Sequence, residues 1–111
     1  MMRLPNAVNA VIDLEKIRDY CLNPDHPRGK HKARVFESVF GFRQSDSSRL
    51  LDLIAVGIVT AESDVGERDD FGARFTTDIE IRVGGCVAVV RTAWIVRTGE
   101  DFPRLTTCYL K

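Results

Sequence analysis

The sequence predicts an α+β domain in which about three N-terminal helices pack on one face of a C-terminal antiparallel β-meander of three or more strands. Apolar residues recur at helical spacing before residue 60 and alternate with polar residues from residue 73 onward. The dipeptide Gly84-Gly85 separates two alternating segments, as a two-residue hairpin turn requires.

The chain has 111 residues, of which 44% are apolar and 29% charged, so we expect one soluble domain over residues 1–111. No apolar run reaches the ~20 residues that cross a bilayer, and no long apolar stretch near the start indicates a signal peptide. The three cysteines are odd in number and widely spaced. We therefore expect Cys21, Cys86 and Cys108 to be buried thiols in a reducing cytoplasm.

Three helices are expected in order. The first begins at the N-cap Asp13 and ends at Asn23-Pro24, because proline disfavours a helical residue before it. The second runs from Lys30 to about Phe40, before the C-cap Gly41, and the third starts after Ser45-Asp46. Their expected apolar stripes are Leu14, Ile17 and Cys21; Ala33, Val35, Phe36, Val39 and Phe40; and Leu50, Leu53, Ile54 and Ile58.

Three strands are expected after an acidic loop at residues 62–72. They cover residues 73–83, 86–96 and 104–110. Directing Cys108 and Leu110 inward would bring Thr107 and Tyr109 out beside Arg91. The tight turn sets the register of the first two strands, which pairs Val83 with Cys86, Ile79 with Val90, Phe75 with the core residue Trp94, and Asp78 with Arg91.

The formal net charge is zero, so bulk charge does not predict nucleic-acid binding, but its distribution is uneven. Residues 1–50 carry nine Lys and Arg against six Asp and Glu, whereas residues 51–111 carry seven against ten. We therefore expect a basic region near residue 30 and an acidic region near residues 62–72.

The start of the second helix is unusually basic. Lys30, His31 and Lys32 lie in its first turn, with Arg28 and Arg34 beside them, although a helix N-terminus favours anions. A phosphate group would compensate this arrangement. The pattern predicts a phosphate site formed by Arg28, Lys30, Lys32 and, from the sheet, Arg91; a solvated helix start is the alternative.

Histidine changes charge near neutral pH, which makes His31 a candidate general base, with an inert surface histidine as the alternative. His26 is expected to be a loop residue fixed by a local hydrogen bond. Cys21, His26 and His31 are evenly spaced, but prolines interrupt them and no second ligand cluster exists, so no metal is expected.

Arg91, Thr107 and Tyr109 are expected to form the opposite wall of a cleft. An arginine can donate two hydrogen bonds to a phosphate, and the two hydroxyls can orient it. The alternative is a cross-strand Asp78–Arg91 ion pair with two β-favouring residues on a half-exposed sheet.

Three stretches carry a resemblance over nearly the whole chain: LPNA, YCLNPDHPRGKHKARVF, and TAWIV followed by GEDFPRLTTCY. With these, the chain resembles a family of small uncharacterised bacterial proteins, a domain of unknown function found alone and within larger phage-related and toxin-like proteins. This resemblance implies no established activity.

A looser resemblance is to the barnase–EndoU–colicin–RelE group of ribonuclease toxins. It implies a metal-independent endoribonuclease without a cofactor, paired with an antitoxin or immunity protein. In that case His31 is the acid/base catalyst, Lys30 and Arg91 bind phosphate, and Thr107 and Tyr109 position the substrate. The chain departs from the group because it is less basic and lacks a second histidine on the sheet.

The first functional hypothesis is a cytoplasmic endoribonuclease of the toxin type, in which the RNA 2′-hydroxyl attacks the neighbouring phosphate. The second is a non-catalytic module that binds a partner protein or a nucleic-acid backbone. A third is an antitoxin or immunity protein that neutralises a basic toxin through residues 62–70.

Overall fold

The computed structural model describes residues 2–111, which form three helices and a four-stranded antiparallel sheet. Helix α1 (Leu14–Lys16) continues as a π-helical turn over Ile17–Cys21, and α2 (Lys30–Phe40) and α3 (Ser47–Gly57) follow. The strands lie side by side in chain order: β1 (Ser63–Asp69), β2 (Gly72–Val83), β3 (Cys86–Arg97) and β4 (Arg104–Leu110). The chain is therefore α+β, as the sequence predicts.

The predicted helix starts are confirmed. Asp13 is the N-cap of α1, α2 begins at Lys30, and α3 follows Asp46. Gly41 ends α2 with a φ of 72°, where its N–H donates to the carbonyl of Glu37. Glycine adopts this left-handed conformation without steric cost, so the predicted C-cap is confirmed as well.

The predicted apolar stripes are correct for most positions and wrong for Leu14, Val35 and Val39, which are exposed. Leu14 is the first residue of α1 and precedes the π turn, in which Leu22 donates its N–H to the carbonyl of Ile17, five residues back. In α2 the two valines lie beyond the buried stripe. The buried helical side chains include Ile17, Cys21, Ala33, Phe36, Phe40, Leu50, Ile54 and, just after α3, Ile58.

The predicted register of the central hairpin is confirmed in all four pairs. Val83 pairs with Cys86, Ile79 with Val90, Phe75 with Trp94, and Asp78 with Arg91. Gly84 in the turn has a φ of 58°, which a glycine permits. Successive residues therefore alternate between a buried face, under the helices, and a more open face.

The prediction of a loop over residues 62–72 is wrong, because β1 occupies most of this acidic segment. Its side chains are exposed except that of Ser63, and its pairing with β2 is irregular between Val65 and Arg68. A strand held by backbone pairing, with water on both faces, has no apolar alternation to reveal it.

The core lies between the helices and the buried face of the sheet. Trp94 is almost fully buried, as predicted, and its indole N–H donates to the hydroxyl of Thr92 at 2.8 Å. The Thr92 hydroxyl in turn donates to the carbonyl of Thr77 at 2.6 Å, and the Thr77 hydroxyl is hydrogen-bonded to that of Ser63. These contacts satisfy the polar groups that β1, β2 and β3 place in the core.

The three cysteines differ in how far they are buried. Cys21 and Cys108 are fully buried, as predicted, but the prediction is wrong for Cys86, which is exposed. Cys86 follows the hairpin turn at the start of β3, where most neighbouring side chains are exposed as well.

Candidate nucleic-acid interface

The ammonium group of Lys32 joins α2 to the sheet and to α1. Its Nζ lies 4.8 Å from the centre of the Tyr109 ring and 5.9 Å from that of the Tyr20 ring. Lys32 occupies the flank of α2 beside the buried stripe, which brings it to β4. Both rings attract the cation through their negative faces, and this fixes the start of α2 relative to β4.

His26 holds the turn that precedes α2. Its Nδ1 accepts hydrogen bonds from the N–H groups of Arg28 and Gly29, both at 3.0 Å, and its carbonyl accepts from the N–H of Lys30. The imidazole ring also packs on Tyr20, with ring centres 4.6 Å apart. The prediction of a locally hydrogen-bonded loop histidine is confirmed. The amides of Arg28, Gly29 and Lys30 are therefore satisfied within the protein.

Asp78 holds the two cations nearest to it on the open face of the sheet. Arg91 donates from Nε and Nη2 at 2.9 and 3.0 Å, and Lys111 donates from Nζ at 3.0 Å. The hydrogen bond from Arg91 is the main cause that lowers the pKa of Asp78 to about 2, and the pKa of Arg91 is raised in return. The cross-strand ion pair, the alternative weighed for Arg91, is therefore present. Together, the side chains of Asp78, Arg91 and Lys111 carry a net charge of +1.

Tyr109 lies beside Arg91 in the register, and Thr107 lies beside Ala93 on the same face. Cys108 points into the core, and the half-buried Leu110 packs against the core as well. Both side chains therefore have the inward orientation that the sequence predicts. The Thr107 hydroxyl, however, does not line the cleft that the sequence predicts. Its oxygen is buried and makes no well-formed hydrogen bond within residues 2–111, so it does not face an open cleft.

His31 is exposed on α2, and within residues 2–111 its side chain makes no hydrogen bond or ion pair. It is next to Lys32 in sequence, but one residue is about 100° around a helix, so the two side chains leave α2 in different directions. Arg28 is exposed and Lys30 half-buried near the same turn. The structure thus brings Lys32, Tyr109 and Arg91 together, and the His31 side chain forms no hydrogen bond or ion pair with any of the three.

We call Tyr20, Lys32, Arg91 and Tyr109 the Lys32 surface. Sequence reasoning identified Lys32, Arg91 and Tyr109 but missed Tyr20. A tyrosine that precedes a buried cysteine in α1 carries no local sign that it will contact a lysine of the next helix. Beside the Lys32 surface lies the basic turn at the start of α2, formed by Arg28, Lys30 and Arg34. Cations beside aromatic rings are the groups that proteins use to bind single-stranded nucleic acids.

Within residues 2–111, no three histidine, cysteine, aspartate or glutamate side chains converge as metal ligands. None of the helices in the same residues is long and apolar enough to span a bilayer.

Comparison with known proteins shows the family of the chain. Residues 3–111 match a family described as a domain of unknown function, DUF6883. No curated protein and no solved structure matches the chain. Because the match covers nearly the entire sequence, the chain belongs to the DUF6883 family.

Proposed function

We propose that this protein binds single-stranded RNA through the Lys32 surface and the basic turn beside it. The observation that carries the proposal is the contact of Lys32 with both Tyr20 and Tyr109, which places a cation between two aromatic rings. Phosphates would contact the cations, and unpaired bases would stack on the tyrosines, a combination that proteins use for single strands without sequence preference.

Local charge supports the proposal although the whole chain is neutral. Arg28, Lys30, Lys32 and Arg34 lie within seven residues that contain no acidic residue, and the nearest acidic residues in sequence are Asp25 and Glu37. On the sheet, Asp78 is outnumbered by Arg91 and Lys111. A polyanion that approaches this side therefore meets an excess of positive charge, and its binding releases counterions.

The test is fluorescence anisotropy with a short labelled oligouridylate, titrated at several salt concentrations. We expect affinity to fall steeply with salt for the natural sequence. The double variant K30A/K32A should lower affinity about 10-fold and reduce the slope of log K against log salt by about 1–2, since each lost phosphate contact reduces it by about one.

The matched control is R43A. Arg43 is an exposed cation three residues beyond the far end of α2, an 11-residue helix about 16 Å long that begins at Lys30. We expect this variant to bind like the natural sequence. No salt-sensitive binding, or an equal loss in R43A and K30A/K32A, would contradict the proposal.

The second candidate is the endoribonuclease of the toxin type, in which His31 takes the proton of the 2′-hydroxyl. The exposure of the His31 imidazole beside Lys30 and Lys32 favours it, but the pairing of Arg91 with Asp78 makes binding the better-supported function. The same RNA is incubated with protein and EDTA and then resolved on a gel. We expect it to stay intact; cleavage by the natural protein but not by H31A would favour the nuclease.

A further inference from the structure

The sheet has one edge that is open along most of its length. β1 is the outermost strand, so β2 is its only neighbour in the sheet. The opposite edge, at β4, is bridged by Val11, which pairs with Arg104. Within residues 2–111, no backbone hydrogen bond joins residues 64–69 to any segment other than β2. Such a free edge is a template on which another chain can pair.

The first part of this edge already pairs with an extended segment. Arg3 forms an antiparallel bridge with Glu62. The Ser63 N–H donates to the carbonyl of Met2 at 2.8 Å. The backbone groups of Ser63 therefore face outward, and those of Val65 face the same way, because antiparallel strands present alternate residues to each neighbour. An extended chain can thus pair with Val65 as Met2 pairs with Ser63.

The charge of β1 decides which kind of chain fits this edge. The strand carries three carboxylates, Asp64, Glu67 and Asp69, and one guanidinium, so its net charge is −2. Asp69 is paired with Arg74, but Asp64 and Glu67 are exposed and form no ion pair within residues 2–111. A second copy of β1 would bring like charges together, which destabilises strand pairing. A strand rich in lysine or arginine would neutralise them.

The two faces of β1 indicate a pattern for this strand. Val65 pairs with Phe75 on the core side of the sheet, yet its side chain is 65% exposed. Asp64 pairs with Thr76 on the open side. Because successive side chains alternate between the faces, an added strand with alternating residue types would place apolar groups beside Val65 and cations beside Asp64.

We propose that the outer edge of β1 binds an extended basic segment of a partner protein, which becomes a fifth strand of the sheet. Main-chain hydrogen bonds supply the affinity. The carboxylates and Val65 select a segment in which lysine or arginine alternates with apolar residues. The inference does not depend on RNA binding, since the Lys32 surface includes β4, at the opposite edge of the sheet.

The probe is a fluorescein-labelled heptapeptide of four lysines that alternate with three valines. We expect its anisotropy to rise as the full chain is added. The same peptide with methylated backbone nitrogens keeps the charge but has no N–H donors, so it should bind at least about 10-fold more weakly. Hydrogen exchange, followed by mass spectrometry, should become slower in residues 64–68 when the unmethylated peptide is present.

Three variants locate the binding. V65P removes the outward N–H and leaves the pairing with β2, because an edge strand tolerates a proline whose N–H would face outward. It should lower affinity for the unmethylated peptide about 10-fold. D64N/E67Q should lower it about 5-fold. The matched control D52N/E80Q makes the same change in net charge at exposed positions of α3 and β2, and it should bind like the natural sequence.

Bulk charge would explain equal binding of the two peptides, or an equal loss in D64N/E67Q and D52N/E80Q, and either result would overturn the proposal. So would no binding of the unmethylated peptide. A dimer of the natural protein that V65P converts to a monomer, measured by sedimentation, would show that a second copy covers the edge instead. If V65P unfolds, the methylated peptide makes the same test on the natural sequence.

Discussion

At the residue scale, the two histidines make opposite contributions to the fold. His26 accepts two backbone hydrogen bonds at the start of α2 and packs on Tyr20, whereas His31 is exposed. We expect H26A to lower the free energy of unfolding by about 1–2 kcal/mol, since it leaves the amides of Arg28 and Gly29 without their acceptor and removes an aromatic contact. Urea unfolding followed by circular dichroism measures the loss.

Two variants make this prediction specific. H26N keeps a side-chain acceptor for the same amides, so it should recover part of the lost stability. H31A removes an exposed imidazole and should change stability by less than about 0.5 kcal/mol. Equal destabilisation by H26A and H31A would contradict the role given to His26.

Asp78 links stability to pH. Its pKa is lowered to about 2 in the folded protein from an ordinary value of 3.8, chiefly by the hydrogen bond from Arg91. Such a group adds stability that is fully present above the unfolded pKa and is lost as pH falls through the folded one. With the screening of a partly exposed pair allowed for, the contribution is about 1–2 kcal/mol.

We therefore expect D78N to be less stable than the natural sequence at neutral pH by about that amount. The difference should shrink between about pH 4 and pH 2, as Asp78 becomes protonated. Urea unfolding at a series of pH values measures it, and D64N, at an exposed position of β1, is the control. A difference independent of pH would show that the ion pair is not its source.

At the element scale, what the sequence could predict depends on whether a segment contacts the core. The β2–β3 register was predictable, because Gly84-Gly85 fixes the turn and alternation fixes the faces. β1 was not, because nearly all of its side chains are in water and its position depends on pairing with β2. The basic turn of α2 was likewise predictable from the sequence. The contacts of its Lys32 were not all predictable, because Tyr20 and Tyr109 come from separate elements.

The connection between α1 and α2 depends on Gly29. A Cβ at this position would overlap the carbonyl oxygen of Tyr20, which is backbone and cannot rotate away. We expect G29A to lower the free energy of unfolding by about 1–3 kcal/mol, because the two segments must separate. Since that movement shifts Lys32 away from Tyr20, RNA affinity should fall as well.

G85A is the matched control for that variant. Nothing lies within 4 Å of the position a Cβ would take, and Gly85 has no positive φ. Thermal unfolding and the anisotropy titration should therefore give values close to those of the natural sequence. If G29A is as stable as G85A, the close approach of the two segments is not a constraint on the fold.

At the scale of the whole molecule, charge is separated along the sheet. The basic turn of α2 meets β4 near Tyr109, whereas the acidic β1–β2 hairpin ends at residues 69–72. Six residues of β2 separate Gly72 from Asp78, which is about 20 Å at the rise of a strand. A neutral chain can therefore attract a polyanion on one side and repel it on the other.

This separation predicts a salt-dependent effect of the acidic hairpin on RNA binding. The Debye length is about 30 Å at 0.01 M salt and about 8 Å at 0.15 M, so repulsion across about 20 Å acts only in the first condition. We expect E67Q/D70N, at two exposed positions, to raise RNA affinity about 2- to 3-fold at low salt and to leave it unchanged at 0.15 M. Anisotropy titrations at both salts measure this, with K30A/K32A as the variant that should lower affinity in both. An increase that persists at 0.15 M would place the RNA against the hairpin itself, and the Lys32 surface would then not be the binding site.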